Sequence, residues 1–300
     1  MTGHRRGIPA ARDARGAVWP REAIDADPRP FVAPLNCGQC SAAVSAVGEY
    51  TKRSEGGLTI TVAAHYRLTS GGEHETGCPY DFDRRAQGVV ADSMGTVVKQ
   101  RDHWRLLLPT DVDMDVHEAT GVRSGEPPRR KLQVTPSSVL LTPAINSAAK
   151  IARLLETFER DPGLVELFRA EYGERLLRWE DFAYGPSDYP RLLDRLTAGP
   201  LEHPVAVYGR THKLGTSRNG LTYALHARGR IRMASRESPS WVPVVVRADD
   251  EALLPREDAM HWLAYGFWSF LHTDSGYREI QLWLRAPWQI TTWQPDQPDP

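Results

Sequence analysis

The chain has 300 residues, 41% of them hydrophobic and 25% charged, enough apolar material for more than one buried core. A formal net charge of −1 excludes a uniformly basic nucleic-acid protein but leaves room for local patches. Arg5 and Arg6 are followed by no apolar run, and the most apolar stretch, 262–271, is too short for a membrane span and contains Gly266, so the expectation is a cytoplasmic protein with no membrane partner.

Residues 1–34 are rich in Arg, Ala, Asp and Pro without a sustained apolar period, and read as a disordered arm. Residues 35–108 form the first predicted module. Within it, 57–64 alternates like a half-buried strand after the Gly56-Gly57 turn, and Ser70-Gly71-Gly72 marks a second turn. A helix is expected over 82–98, with Ala86, Val89, Val90 and Met94 on one side. Residues 109–135 are polar and proline-bearing, the composition of a linker.

Residues 136–200 read as a helical region, because Ile145, Ala149, Ala152, Leu155 and Phe158 recur at helical steps. Asp161-Pro162 fits an N-cap with proline at the first helical position, and Leu164, Leu167, Phe168 and Tyr172 continue the period. A further helix is expected over 189–196.

From 201 to 295 the pattern changes to strand-like runs at 204–209, 221–226, 241–247, 265–271 and 279–284, with a helix at 250–262 between the third and fourth. That order resembles an OB-fold, a small Greek-key barrel, with Gly209 where such barrels bend and 214–220 as the first loop. The fold class expected is therefore α+β and multidomain: a zinc-ribbon-like module, a helical middle and an OB-like β-barrel.

All three cysteines fall between residues 37 and 78, an odd number that cannot complete a disulfide framework. In a reducing compartment such clustering fits metal ligation. Cys37-Gly-Gln-Cys40 can place two sulfurs on one ion from a tight turn, and His74 with Cys78 can supply the other two ligands of a tetrahedral zinc site. The 33 residues between Cys40 and His74 leave room for a hairpin that returns the second pair to the first. His65 ends the predicted strand and stays open as the alternate ligand. A redox role for Cys37 and Cys40 would want a helix N-terminus in a βαβ context, which the pattern lacks.

Cys37-x-x-Cys40, then His65-Tyr66, then His74 and Cys78, resembles the zinc-binding N-terminal region of competence CoiA-like proteins over about residues 35–80. That family joins the region to a nuclease domain with a Glu-x-Lys core. No Glu-x-Lys or Gln-x-Lys occurs here, so the resemblance implies a setting in DNA handling, uptake or defence without the nuclease activity.

Charge and aromatics point the same way in the last hundred residues. From Arg210 to Arg236 the basic residues are Arg210, Lys213, Arg218, Arg228, Arg230, Arg232 and Arg236, with no acid among them. Six of the nine tryptophans lie beyond residue 240; Trp262, Trp268 and Trp283 are expected to fill the barrel. Tyr208 and Tyr223, beside the basic stretch, are the candidates for stacking on bases. Glu73 and Glu75 flank His74 in reverse of the nucleobase-deaminase order, and no Walker, nucleophile-elbow or Rossmann motif occurs, so a non-catalytic protein is expected. The function expected is a zinc-containing binder of single-stranded DNA or RNA. The alternative is an adaptor for a protein partner in a defence or mobile-element system, or a nuclease accessory subunit.

Overall fold

Sheets carry most of this mixed α+β chain, with few helices. The computed structural model describes residues 7–53, 59–110, 138–216, 222–233, 240–255, 260–273 and 276–294. Among them no helix is long and apolar enough to cross a membrane.

The N-terminal strands are short: β1 (Ala10–Arg12), β2 (Val18–Pro20), β3 (Leu35–Cys37), β4 (Ala43–Val47), β5 (Tyr50–Arg53), β6 (Thr59–Val62) and β7 (His65–Leu68). Five of them lie in the order β2-β1-β3-β4-β7, all antiparallel, while β5 and β6 form a separate hairpin. The expected strand at 57–64 is β6, and its Gly56-Gly57 turn lies outside the described residues.

Residues 7–34 are not the disordered arm that composition predicts. Ile8, Ala11 and Ile24 are at most 1% exposed. Their order comes from one buried carboxylate rather than an apolar period: Asp13 accepts hydrogen bonds from the backbone N–H groups of Arg15, Ala17 and Val32 and from the Trp19 indole. Burial by itself would raise the Asp13 pKa, but Trp19, Ala17 and Arg15 outweigh it and hold it down at about 2.

The helix expected over 82–98 is shorter. α1 (Phe82–Ala91) buries Ala86 and Val89 of the predicted face, together with Phe82, and leaves Val90 half-buried. Met94 and Gly95 then take positive φ, Met94 is 72% exposed, and the chain turns into β8 (Val97–Gln100).

β9 (His103–Leu108), α2 (Ser138–Thr157) and α3 (Pro162–Val165) follow. Asp161 caps α3 by accepting from the N–H groups of Gly163 and Leu164, as its position before Pro162 predicts. The expected continuation of that helix through Tyr172 is instead β10 (Phe168–Tyr172), which joins β11 (Arg175–Arg178) in the sheet β11-β10-β9-β8. Phe168 and Ala170 are buried on alternate positions, and β10 runs parallel to β9. Spacings of three or four on a short segment fit either element, and the β9 edge decides. The expected linker lies, from residue 111 onward, outside the described residues.

α4 (Trp179–Phe182), β12 (Ala183–Tyr184) and α5 (Tyr189–Ala198) lead to seven strands: β13 (Val205–Thr216), β14 (Tyr223–Met233), β15 (Ser240–Ala248), β16 (His261–Gly266), β17 (Ser269–His272), β18 (Arg278–Leu284) and β19 (Ile290–Trp293). β13, β14 and β15 form an antiparallel meander, β18 runs parallel to β15, and β17 antiparallel to β18. β16 returns antiparallel to β13. The segment 261–272 therefore pairs with β13 through its first half and with β18 through its second, which closes the sheet on itself. The fourth expected run is this segment, broken after Gly266, where a Cβ would stand 2.7 Å from Leu282.

Expectation and structure part at the helix placed over 250–262. Among the described residues that stretch holds only a 3-10 turn, Glu251–Leu253, before β16 begins. The helical contribution to the barrel core comes from α5, which precedes the first strand: Tyr189, Leu192, Leu193 and Leu196 join Val205, Val244, Trp262, Trp268 and Leu282 in one cluster. Tyr189 donates its hydroxyl to the carbonyl of Tyr208, and the backbone approaches it so closely that a Cβ at Gly209 would lie 2.5 Å from its oxygen.

The contacts divide the chain into two compact units, residues 1–91 with 151–167, and 92–150 with 168–300. The first therefore draws in 151–167 beyond the module expected at 35–108, and the second places the barrel in one unit with 168–200.

Candidate functional site

The first unit brings the predicted ligand segments together. β3 ends at Cys37, whose N–H donates to the Ala42 carbonyl at 2.7 Å and closes a tight turn around Cys40. Gly38 donates to the Ala10 carbonyl at 3.0 Å, and a Cβ there would sit 3.0 Å from that oxygen, so the turn fits against β1 only with a residue this small. β4 and β7 carry the chain out and back, and a second turn follows: Cys78 N–H donates to the Glu75 carbonyl, with Gly77 at φ +84°.

Cys37, Cys40, His74 and Cys78 then place one ligand atom each within 4.8 Å of one another. Zinc bonds of about 2.3 Å to sulfur and about 2.0 Å to nitrogen in a tetrahedron set two sulfurs about 3.8 Å apart and a sulfur and nitrogen about 3.5 Å apart. Here Cys37 Sγ and Cys78 Sγ are 3.8 Å apart, and Cys40 Sγ and His74 Nδ1 are 3.4 Å apart. These two separations match such a site, and all four ligand atoms lie close enough together to hold a single metal ion.

Their electrostatics suit a cation. Burial raises the Cys37 thiol and pushes Cys78 up to about 12, since a thiolate in this core has little water around it. Burial opposes ionisation of Cys40 too, but the N–H groups of Ala42 and Glu75 and the thiols of Cys78 and Cys37 outweigh it and lower its pKa. Burial keeps His74 below its usual value, so the imidazole is neutral with a lone pair to offer. A divalent ion would supply the charge that lets all three sulfurs ionise. Glu75 is engaged elsewhere: it accepts from the backbone N–H and the hydroxyl of Ser41, tying the Cys40 turn to the His74 segment. His65, the alternate ligand, is outside the cluster; its Nδ1 is 2.9 Å from the Ala63 carbonyl, and its ring stands against Tyr50.

In the second unit, β13, β14 and β15 carry the basic residues. Leu225, Ala227 and Ile231 point into the barrel core, and alternation sends Arg228, Arg230 and Arg232 outward, all exposed. A two-residue irregularity in β14 between His226 and Arg230 keeps that parity. Lys213, exposed, pairs across the strands with His226. Arg210 is only half exposed, and Arg218 and Arg236 lie outside the described residues. Burial first, then Lys213, Arg247, Arg230 and His212, push the His226 pKa down to about 4.

The aromatic candidates fare differently. Tyr208 faces outward by alternation but is 5% exposed, because β12 pairs alongside β13 and a Cβ at Gly185 would meet its ring at 2.6 Å. It is not available to stack on a base. Tyr223 is half-buried against the barrel core. Trp262 and Trp268 fill the barrel as expected, whereas Trp283 is half-buried outside it, with the Arg285 guanidinium 5.6 Å above its ring.

Among the described residues of the second unit, two exposed aromatics escaped the sequence reading. Trp241, 51% exposed, is the cross-strand partner of Arg232, and Tyr277, 45% exposed, precedes β18. Tyr277 donates to the fully buried Glu279 carboxylate, which Arg247 also holds with two hydrogen bonds at 2.8 Å. The signal for Trp241 was present: with Val242, Val244 and Val246 facing inward, period-two alternation turns 241 outward.

No family model and no curated protein matches the chain. Among solved structures it is similar to Schizosaccharomyces pombe Pot1pC bound to ssDNA, with 12% identity over 32% of this chain and 82% of that one and a TM-score of 0.22.

Proposed function

We propose that this protein binds single-stranded nucleic acid on the outer face of β13–β15, and that its four-ligand cluster holds a structural zinc ion. The observation that carries the reading is the row of outward Arg228, Arg230 and Arg232 with Trp241 directly across from Arg232. Guanidinium groups track phosphates, and an exposed indole offers a base a face worth about 1–3 kcal/mol. The closed cycle β13-β14-β15-β18-β17/β16 supports an OB-like barrel, whose second and third strands form the customary binding face. Three sulfurs and one imidazole suit zinc, and four protein ligands leave no open position for catalysis.

The test is fluorescence anisotropy with a labelled oligonucleotide over a salt series. Binding weakens steeply as salt rises, because phosphate contacts release counterions. Replacing Arg228, Arg230 and Arg232 by Glu abolishes it in a protein that stays folded, and Trp241→Ala costs about 1–3 kcal/mol. Salt-independent binding, or wild-type affinity in the folded triple variant, refutes the reading.

A further inference from the structure

A cleft of about 340 Å³ lies in the second unit, away from the strands just described, lined by β11, α4, β12, α5 and the residues before β13. That volume is at the lower end of small-molecule sites. Its walls carry three guanidinium groups, Arg175, Arg191 and Arg195, against two carboxylates, Asp181 and Glu202.

The three arginines are not equally neutralised. Arg175 pairs with Glu202 at 2.6 Å, and Arg191 reaches Asp188 at 3.2 Å and Asp181 at 3.9 Å while lying 4.9 Å over the Tyr184 ring. Arg195 has only neutral acceptors: the Asp181 carbonyl at 2.7 Å, the Tyr184 hydroxyl at 2.8 Å and His203 Nε2 at 2.8 Å. Its neighbour His203 is 3% exposed and has Nδ1 3.1 Å from the Pro204 carbonyl. That contact is satisfied by an Nδ1–H, which leaves Nε2 as an acceptor and the imidazole uncharged. Among the described residues no carboxylate lies within ion-pair distance of Arg195. The result is a guanidinium held in place by neutral acceptors, with no carboxylate among the described residues bonded to it and Glu202 near enough to feel its charge, beside a second one stacked on a phenol.

We propose that this cleft binds a phosphate monoester, with Arg195 and Arg191 as donors to its oxygens. A planar guanidinium matches two phosphate oxygens at once, and a dianion supplies the charge that the walls lack. The same chemistry is offered by free phosphate and by the 5′-phosphate of a nucleic-acid strand. The site is independent of the barrel face, since a 5′-hydroxyl oligonucleotide reads that face alone.

The full chain is titrated with inorganic phosphate at constant ionic strength, followed by calorimetry and thermal unfolding. In a second arm, anisotropy compares one oligonucleotide bearing a 5′-phosphate with its 5′-hydroxyl form. Binding of inorganic phosphate, or a preference for the 5′-phosphate of about tenfold, supports the site and tells which source it takes. Arg195→Gln and Arg191→Gln each remove that binding or preference. Arg191 has a side chain 40% exposed, so its replacement leaves the fold intact if Arg195→Gln does not. No effect of phosphate in either arm, or phosphate binding undiminished in Arg191→Gln, overturns the proposal.

Discussion

His226 shows how one side chain reports the field around it. It sits opposite Lys213, and burial together with the charges of Lys213, Arg247 and Arg230 lowers its pKa from 6.5 to about 4. The folded state thus refuses a proton that the unfolded chain accepts, so this residue's contribution to stability is whole above pH 6.5 and declines as pH falls toward about 4. A bound polyanion reverses the balance by favouring the imidazolium. Oligonucleotide affinity should therefore rise as pH falls from about 7 to about 5, and His226→Gln should remove that rise. Anisotropy across this window checks it, and a flat profile for the wild type would count against phosphates lying on this face. Residue identity alone did not choose the aromatics: Tyr208 and Trp241 both point outward from adjacent regions of the barrel, and only the cover over Tyr208 separates them.

At the scale of elements, the strand runs were legible because alternation is a local property. The helix that completes the barrel core was not. The stretch 250–262 has helical composition, yet α5 fills the barrel from before the first strand. α5 itself was foreseen over 189–196 from its periodicity, but nothing in that periodicity names its partner. Leu192, fully buried in the barrel cluster, carries the consequence: Leu192→Ala should destabilise the second unit by about 2–5 kcal/mol, measured by denaturant unfolding. A loss within experimental error would mean that α5 is not part of that core. β10 teaches the same lesson in reverse, since Phe168 and Tyr172 fit a helical period until the open edge of β9 claims them.

For the whole molecule, the two units rest on different supports. The second has a cluster of large aliphatic and aromatic side chains, whereas the part of the first that carries the cysteines has a small one, with Cys37 and Cys78 among its buried members. A core that small would lean on the metal cross-link proposed above. Stripping the metal with a chelator should open the first unit, seen as fast hydrogen exchange over 35–80, while the barrel keeps its protection and its oligonucleotide binding. Replacing His74 by Ala should do the same, and His65→Ala should leave metal content unchanged. Unaltered exchange after verified metal loss would show that the cluster is not structural.

By itself, the sequence singled out Cys37, Cys40, His74 and Cys78 as one cluster and marked the succession of most strands in the last hundred residues. Thiols and an imidazole at these spacings have few other uses, and strand alternation needs only neighbouring residues. Tertiary structure alone decided that 7–34 is ordered around Asp13, that 168–172 is a strand, and that Tyr208 is covered. Each of these turns on which distant segment covers a surface or satisfies a polar group, and burial is a property of pairs that no single stretch of chain contains.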